Sequence, residues 1–260
     1  MNRVRVASFN VRYDAASDGR DNWAHRRRLV AGTIRYHAPA VVGVQEAMTH
    51  QLRELQSMLP EYDWVGDPRD SVASGGEHTA IGYRTDRFDC VATGTFWLSE
   101  TPDEPGSVGW DGAYPRVATW ARLADGDPLV VVNTHLDHKG EQARRRGVDL
   151  VLERLDTLVD GEPAVLQGDF NCVVGDPAYE RAAGRSLSDG RTLADTRSLT
   201  DHRHGPTTTR TDFHDLLPEM GIDHVFATDD LDVTSHAVCT DRDDDHYPSD
   251  HLPVVVDLRR

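Results

Sequence analysis

Residues 164–171 read AVLQGDFN, and this stretch passes from an apolar run to a polar cluster without an intervening loop. Residues 164–167, of which the first three are apolar, are typical of a short strand that is covered on both faces. Asp169 and Asn171 follow at the end of this strand, a position where functional side chains are commonly placed. The stretch therefore predicts a buried strand of an α/β protein that delivers polar groups to one edge of a sheet.

Polar clusters of the same kind stand at the ends of five other predicted strands. They comprise Asn10, Gln45 with Glu46, the NTH run 133–135, Asp223 with His224, and the SDH run 249–251. A single residue of this kind is most often a cap or turn residue, and a single histidine most often lies at the surface or packs in the core. Six clusters at strand ends together predict one site at the rim of the sheets.

The rest of the chain mixes predicted strands and helices without a strict βα repeat. Strands are predicted over residues 4–10, 40–44, 79–84, 88–98, 116–123, 129–133, 164–167, 222–227, 233–238 and 254–258, and helices over residues 23–37, 47–59 and 141–159. Residues 176–213 are polar and irregular, which predicts loops and short helices. This order favours mixed sheets covered by helices over a barrel or a doubly wound parallel sheet. With no repeat or linker, we expect one domain over residues 1–260.

The composition is strongly acidic. Lys and Arg total 28, Asp and Glu total 44, the net charge is −16, and Lys139 is the only lysine. An Asp-rich surface almost without Lys stays hydrated in high salt, so we expect a salt-adapted protein. The same charge argues against tight, non-specific binding to duplex nucleic acid, which depends on Lys and Arg at phosphates.

The compartment is predicted from cysteines and from the amino terminus. Cys90, Cys172 and Cys239 are odd in number and lack CxxC spacing, which favours reduced thiols over a disulfide framework. No apolar signal region precedes the first predicted strand, and no apolar run is long enough to span a membrane. We therefore expect a cytoplasmic protein without a membrane span, and no obligate protein partner is indicated.

Six short motifs resemble those of a known superfamily. SFN, QE, NTHLDH, GDFN, IDH and SDHLP occur in the order found in the endonuclease/exonuclease/phosphatase superfamily, which has the deoxyribonuclease I-like fold. The resemblance implies a four-layer α/β sandwich, with two mixed β-sheets packed face to face and flanked by helices. The run TFWLSETPDEPGSVGWDGAYPRVATW resembles a prokaryotic branch with poorly defined substrates, and the acidic composition favours a haloarchaeal member of it.

The candidate residues suit hydrolysis of a phosphate ester. Asn10, Glu46 and Asp250 offer hard oxygen ligands, which suit Mg²⁺ or Mn²⁺ rather than zinc. Such a metal would polarise the phosphoryl group and offset charge on the leaving oxygen.

The resemblance implies roles for the other candidates. Either His251 paired with Asp223, or Asp169 directly, would take the proton from the attacking water. Asn171 would position the nucleophile, and His135 would donate to a phosphate oxygen or assist the leaving group. Arg116 would hold a phosphate as a forked donor.

These features predict a metal-dependent phosphoesterase acting on a phosphate mono- or diester of a small molecule, sugar or nucleotide. A metal-dependent nuclease is the main alternative, although the chain lacks basic and aromatic insertions that would grip a duplex. An inactive binding module of the same fold and an inactive surface domain rank lower, because every member of the catalytic set is present. Fold alone does not define the substrate.

Overall fold

The computed structural model describes residues 3–70 and 76–260. The strands are β1 (Arg3–Asn10), β2 (Val41–Met48), β3 (Tyr62–Val65), β4 (Glu77–Arg84), β5 (Asp89–Trp97), β6 (Val117–Asp125), β7 (Asp127–His135), β8 (Ala164–Asp169), β9 (Leu193–Asp195), β10 (Arg203–His204), β11 (Asp223–Thr228), β12 (Asp232–Val238) and β13 (Val254–Arg259). The helices are α1 (Trp23–His37), α2 (Thr49–Met58), α3 (Glu141–Leu158) and α4 (Pro177–Ala182), and Ala16–Asp21 forms a 3₁₀ helix.

The strands form two mixed sheets. The first sheet has the order β10-β12-β13-β1-β2-β4-β3, in which β1 runs parallel to β2 and antiparallel to β13. The second sheet has the order β5-β6-β7-β8-β11-β9, in which β7 and β8 are parallel and β8 and β11 antiparallel. Both sheets therefore place the carboxyl ends of a parallel pair side by side at one edge.

The apolar core is arranged in layers. Alternate residues of the central strands, such as Val6, Ile81, Val131 and Val256, pack between the sheets. The outer face of the first sheet packs against α1 and α2, and that of the second packs against α3 and α4. The order helix, sheet, sheet, helix is the four-layer sandwich expected from the sequence, and it leaves the strand ends open to solvent at the sandwich's rim.

Most element boundaries follow the sequence pattern. The helix predicted over residues 23–37 has those bounds, and Ala38, with a φ of 45°, ends it just before Pro39. The short strands β3, β9 and β10 were not predicted, because each is too short for an alternating pattern to show. β3 explains the glycine at position 82 in the neighbouring β4, because a Cβ at Gly82 would lie 2.8 Å from the ring of Trp64.

Two further properties concern the helices and the cysteines. Within the described ranges, none of the helices is long and apolar enough to cross a membrane. The three cysteines are free, as the odd number and the spacing predicted.

Candidate active site

A cleft of about 500 Å³ opens at the rim where the carboxyl ends of the parallel strands meet. Six of the residues predicted from the sequence contribute to this site as lining side chains: Glu46, Arg116, His135, Asp169, Asn171 and His251. The other three, Asn10, Asp223 and Asp250, are buried behind this lining. Strand register explains the convergence, because His135, Asp169 and Asp223 are neighbouring partners across β7, β8 and β11.

Asn10 and Glu46 meet at the ends of β1 and β2. A bulge interrupts the pairing of β2 with β4 between Val44 and Ala47, and Glu46 adopts a φ of 62°. This strained backbone turns the Glu46 side chain out of the sheet. Asn10 Nδ2 lies 3.0 Å from Glu46 Oε1 and 3.0 Å from Asp169 Oδ2. One buried amide thus holds two carboxylates from different sheets beside each other.

Asp169 lies at the centre of the cleft floor. Its Oδ1 accepts a hydrogen bond from the backbone N–H of Asn171 at 2.9 Å, and Asn171 has a φ of 49° that allows this tight turn. Burial raises the pKa of Asp169 to about 6, because the positive charge of His251 only partly offsets the loss of hydration. Asp169 is therefore ionised at neutral pH, but it is a stronger base than an exposed aspartate.

His251 is held by Asp223. His251 Nδ1 lies 2.8 Å from Asp223 Oδ2, and the same oxygen accepts a hydrogen bond from Thr209 Oγ1 at 2.6 Å. Burial alone would lower the pKa of His251, but the charges of Asp223 and Asp169 outweigh it and raise the pKa to about 9. These carboxylates favour the protonated ring. His251 Nε2 lies 3.6 Å from Asp169 Oδ2, and Arg210 Nη1 approaches the same nitrogen to 2.5 Å.

His135 faces Asp169 from the other side. His135 Nε2 lies 3.5 Å from Asp169 Oδ2, and Arg116 Nη1 contacts the imidazole ring at 3.0 Å. Burial, together with the charge of Arg116, lowers the pKa of His135 well below its usual value. His135 is therefore neutral at neutral pH. The pKa values of the two histidines are thus shifted in opposite directions, upward for His251 and downward for His135.

Arg116 is a buried guanidinium close to the predicted phosphate position. Its Nη2 donates to His138 Nδ1 at 3.0 Å, and the nearest carboxylate oxygen in an ion pair with it, Asp137 Oδ2, lies 3.8 Å from its Nε. In the described part of the chain, Arg116 Nε has no hydrogen-bond partner. The positive charge of this buried guanidinium is only partly neutralised by its neighbours, so Arg116 is well suited to bind an incoming anion.

Asp250, the third predicted metal ligand, is buried like Asn10. Its Oδ2 accepts a hydrogen bond from Arg210 Nη1 at 3.0 Å, and Ser249 Oγ lies 3.4 Å from its Oδ1. Burial would raise the pKa of Asp250, but His251 and Arg210 lower it overall. Asp250 therefore stays ionised.

Six further side chains line the cleft although the sequence did not assign them to the site. They are Arg12, Arg69, Glu77, Tyr114, His138 and Arg210. Arg210 comes from the region predicted to be irregular, where a bridge between Arg210 and His251 places it.

One of three consecutive arginines in α1 is buried. A run such as Arg26, Arg27 and Arg28 is typical of a solvated helix face, but only 4% of Arg26 is exposed. Its guanidinium donates to the carbonyl oxygens of Val11, Arg12 and Pro248. These carbonyls belong to the segments that carry Asn10 and Asp250, so Arg26 joins two loops of the site. A triple-arginine run gives no hint of which member turns inward.

The donor set fits a hard divalent cation. Among the described residues, ligand atoms of Glu46, His135 and Asp169 lie within 4.8 Å of one another, and so do those of Asp169, Asp223 and His251. Asn10 touches two of these carboxylates. Carboxylate and amide oxygens are the usual ligands of Mg²⁺ and Mn²⁺.

The charge of the cleft differs from that of the whole chain. Four described arginines line it, namely Arg12, Arg69, Arg116 and Arg210, with the carboxylates of Glu46, Glu77 and Asp169. The chain as a whole has a net charge of −16. Guanidinium groups are therefore concentrated at the position where a phosphate would approach.

Sequence and structure comparisons agree on the relatives of this chain. Residues 7–251 match the model of the Endonuclease/Exonuclease/phosphatase family. An endonuclease/exonuclease/phosphatase from Bacteroides vulgatus is 35% identical with a TM-score of 0.93, covering 100% of this chain and 99% of that chain. A mannosyl-6-phosphatase from Bacteroides thetaiotaomicron is 35% identical with a TM-score of 0.90, covering 99% of this chain and 100% of that chain.

A more distant likeness concerns the fold alone. The human Nocturnin catalytic domain is 22% identical with a TM-score of 0.76, covering 99% of this chain and 93% of that chain. No curated protein matches the chain. The Bacteroides relatives are bacterial, so the haloarchaeal source expected from the composition stays a prediction.

Proposed function

Because the chain belongs to the endonuclease/exonuclease/phosphatase family, whose members are hydrolases of phosphoester bonds and generally depend on a divalent metal, we propose that it is a metal-dependent phosphatase of small sugar phosphates. The observation that carries this proposal is the charge of the cleft. Four arginines surround Asp169 and His251 in a cavity of about 500 Å³ on a protein of net charge −16. Such a site attracts a compact phosphate, whereas a bound duplex would need a long basic stripe outside the cleft.

The metal is expected at Glu46 with Asn10 and Asp250, the set proposed from the sequence, and the geometry adds Asp169 as a neighbour of Asn10. A bound Mg²⁺ or Mn²⁺ would supply charge for the phosphoryl oxygens and for the leaving oxygen. Arg116 and Arg210 add fixed positive charge from the protein. These charges are most useful when negative charge spreads over the phosphoryl oxygens in the transition state.

The protonation states favour one of the two candidate bases. Asp169, with a pKa of about 6, is free to accept a proton from the attacking water at neutral pH. His251, with a pKa of about 9, already carries a proton, which suits it to donate a hydrogen bond to a phosphate oxygen. Asp223 fixes the orientation and charge of His251. Neutral His135 would donate one hydrogen bond on the opposite side, and Asn171, beside Asp169, would position the water.

A monoester is preferred to a diester because of the relative at 35% identity that is named a mannosyl-6-phosphatase. The test is a substrate panel of sugar phosphates, p-nitrophenyl phosphate, bis-p-nitrophenyl phosphate, inositol phosphates and plasmid DNA, with Mg²⁺ and Mn²⁺ at low and high salt. We expect release of inorganic phosphate from sugar phosphates to be fastest. Faster cleavage of DNA or of the diester would overturn the proposal in favour of a nuclease or phosphodiesterase.

The metal requirement needs its own variant. Glu46→Gln should weaken Mg²⁺ binding and reduce hydrolysis by at least about 10²-fold, because it removes an anionic oxygen ligand. Glu153→Gln is the matched control, since Glu153 is exposed on α3. Circular dichroism should show both variants folded. Equal Mg²⁺ affinity and turnover in the two variants would show that Glu46 does not hold the metal.

A further inference from the structure

We propose that Arg69, Glu77 and His138 bind the hydroxyl groups of the substrate's sugar, and that this wall of the cleft selects a sugar phosphate over other phosphate monoesters. The inference rests on the proposed function, because it concerns the alcohol half of the same substrate. These three residues, with Tyr114, are called the sugar wall below.

The sugar wall begins where the proposed phosphate site ends. Arg116 contacts His135 through Nη1 and His138 Nδ1 through Nη2, both at 3.0 Å. His138 stacks on Tyr114 with ring centroids 5.8 Å apart, and the guanidinium of Arg69 lies 5.1 Å from the Tyr114 centroid. A continuous row of contacts thus leads from the reacting phosphate along one side of the cleft, so an alcohol attached to that phosphate would lie beside these groups.

Arg69 and Glu77 form a fixed donor and acceptor pair within this wall. Arg69 Nη1 lies 2.7 Å from Glu77 Oε2, and 15% and 13% of the two side chains are exposed. Their backbones are held as well, because Arg69 N donates to Glu77 O at 2.8 Å and Trp97 Nε1 donates to Arg69 O at 2.6 Å. A preorganised carboxylate and guanidinium side by side match adjacent hydroxyl groups, which donate to the first and accept from the second.

The negative charge of the buried Glu77 carboxylate is only partly stabilised by its neighbours. Loss of hydration raises its pKa to about 7, even though Arg69 and Arg116 lower it. The Arg69–Glu77 pair is therefore only partly stabilised by its protein surroundings. Hydroxyl groups of a bound sugar would donate hydrogen bonds to the Glu77 carboxylate.

His138 can donate a hydrogen bond to the substrate through one particular ring nitrogen. Arg116 can only donate, so His138 Nδ1 is the acceptor of their hydrogen bond. Burial and the charge of Arg116 lower the pKa of His138, which keeps the ring neutral. The proton then resides on Nε2, which is left to donate. Tyr114, 47% exposed, forms the outer rim and limits the length of the alcohol.

The composition of the wall favours a sugar over a nucleoside. A base needs a flat apolar slot, whereas Arg69, Glu77 and His138 are polar and would lose hydration under a base without regaining hydrogen bonds. A hexose carries several hydroxyl groups that restore those bonds. The chemistry on this side of the cleft therefore matches a polyol.

The test compares substrates with and without hydroxyl groups. Glu77→Gln keeps the shape of the side chain and removes its charge. We expect kcat/KM for mannose 6-phosphate and glucose 6-phosphate to fall about 10–100-fold, mainly through KM, because a hydrogen bond to a charged group is lost. For p-nitrophenyl phosphate, which has no sugar, the fall should be under about 3-fold. Glu162→Gln is the matched control: Glu162 pairs with Arg122 at 3.0 Å and is 15% exposed.

Each result has a distinct meaning. Equal losses on sugar and aryl phosphates in Glu77→Gln would make Glu77 a structural residue and overturn the sugar wall. Unchanged kinetics on hexose phosphates would overturn it as well. If the wild type hydrolyses p-nitrophenyl phosphate but no hexose phosphate, the sugar wall fails while phosphatase activity stands.

A binding measurement keeps the inference testable if no monoester is hydrolysed, which would refute the proposed function instead. Calorimetry with the wild type in Mg²⁺ then compares mannose 6-phosphate with inorganic phosphate. We expect the hexose phosphate to bind at least about 10-fold more tightly, and the difference to disappear in Glu77→Gln. Equal affinities in the wild type would overturn the sugar wall.

Discussion

Asp223 Oδ2 lies 2.8 Å from His251 Nδ1, and this contact joins the two sheets. Asp223 begins β11 of the second sheet, and His251 precedes β13 of the first. Both side chains are almost fully buried, so the pair is insulated from solvent and its electrostatic coupling is strong. The raised pKa of His251 therefore depends on a carboxylate that the opposite sheet supplies. It requires that the two sheets pack together correctly.

The pair predicts non-additive losses of activity. His251→Ala should reduce turnover of the best substrate by roughly 10²–10⁴-fold, and Asp223→Asn should also be severe because the orienting charge is lost. Adding Asp223→Asn to His251→Ala should change turnover little, since the two residues act as one unit. Steady-state kinetics of both single variants and the double variant measure this, with circular dichroism as the folding control. Losses that simply multiply would show that the residues act separately.

The sequence predicted the fold and the candidate residues at the rim from its strand pattern and from the family that its motifs resemble. Apolar strands ending in polar residues predict which side chains gather at a rim, and the register of β7, β8 and β11 then places His135, Asp169 and Asp223 in one row. The other wall of the cleft has no such pattern. Arg69, Glu77 and Tyr114 come from separate segments, and only the packed structure shows that they meet.

Arg26 illustrates a second limit of prediction. Helical periodicity places it beside Arg27 and Arg28, and nothing in composition separates the three. The structure separates them, because Arg26 faces the carbonyl groups of the segments at Val11 and Pro248. Long-range contacts of this kind depend on how loops return to the core, which local sequence does not encode.

The Arg26 contacts predict a stability loss that a charge-preserving substitution does not rescue. Arg26→Lys cannot bridge the carbonyl groups of Val11, Arg12 and Pro248, so some of them lose their buried partner. We expect unfolding to require about 2–3 kcal/mol less free energy. Turnover should also fall, because the segments carrying Asn10 and Asp250 lose a shared anchor. Arg28→Lys is the control, because Arg28 is exposed and should change stability by under about 0.5 kcal/mol. Urea unfolding of both variants measures the difference; indistinguishable midpoints would contradict the anchoring role.

Asp257 predicts a specific acid dependence of stability. Burial would raise its pKa, but hydrogen bonds from Arg5, Arg3 and Ser235 lower it to about 2. Since the folded pKa lies below the unfolded value near 3.9, the ionised carboxylate stabilises the folded state above about pH 4, and this contribution is lost as the pH falls toward 2. The exposed Arg3 is screened by solvent, so the expected contribution is about 1–2 kcal/mol.

The measurement compares Asp257→Asn with the wild type by urea unfolding from pH 3 to pH 8. The stability difference should be constant from pH 5 to pH 8 and should shrink as the pH falls below about 4. Asp232→Asn provides the control, because Asp232 is 66% exposed and lies 3.7 Å from its partner Arg259. A difference that is the same at pH 3 and pH 7 would show that Asp257 acts through shape rather than charge.

The acidic composition predicts that salt stabilises the protein. With a net charge of −16 and a single lysine, like charges repel across the surface, and screening by ions weakens this repulsion more than it weakens buried ion pairs. The melting temperature should therefore rise by at least about 5 °C between 0.1 M and 2 M potassium chloride. Chloride is the right salt, because sulfate stabilises most proteins by exclusion from their surface regardless of charge. Asp243→Asn/Asp244→Asn/Asp245→Asn removes three clustered negative charges, so it should raise the melting temperature at low salt and flatten the salt dependence. A wild-type melting temperature that stays constant or falls over this range of salt would refute salt adaptation. The proposed chemistry of the cleft would be unaffected.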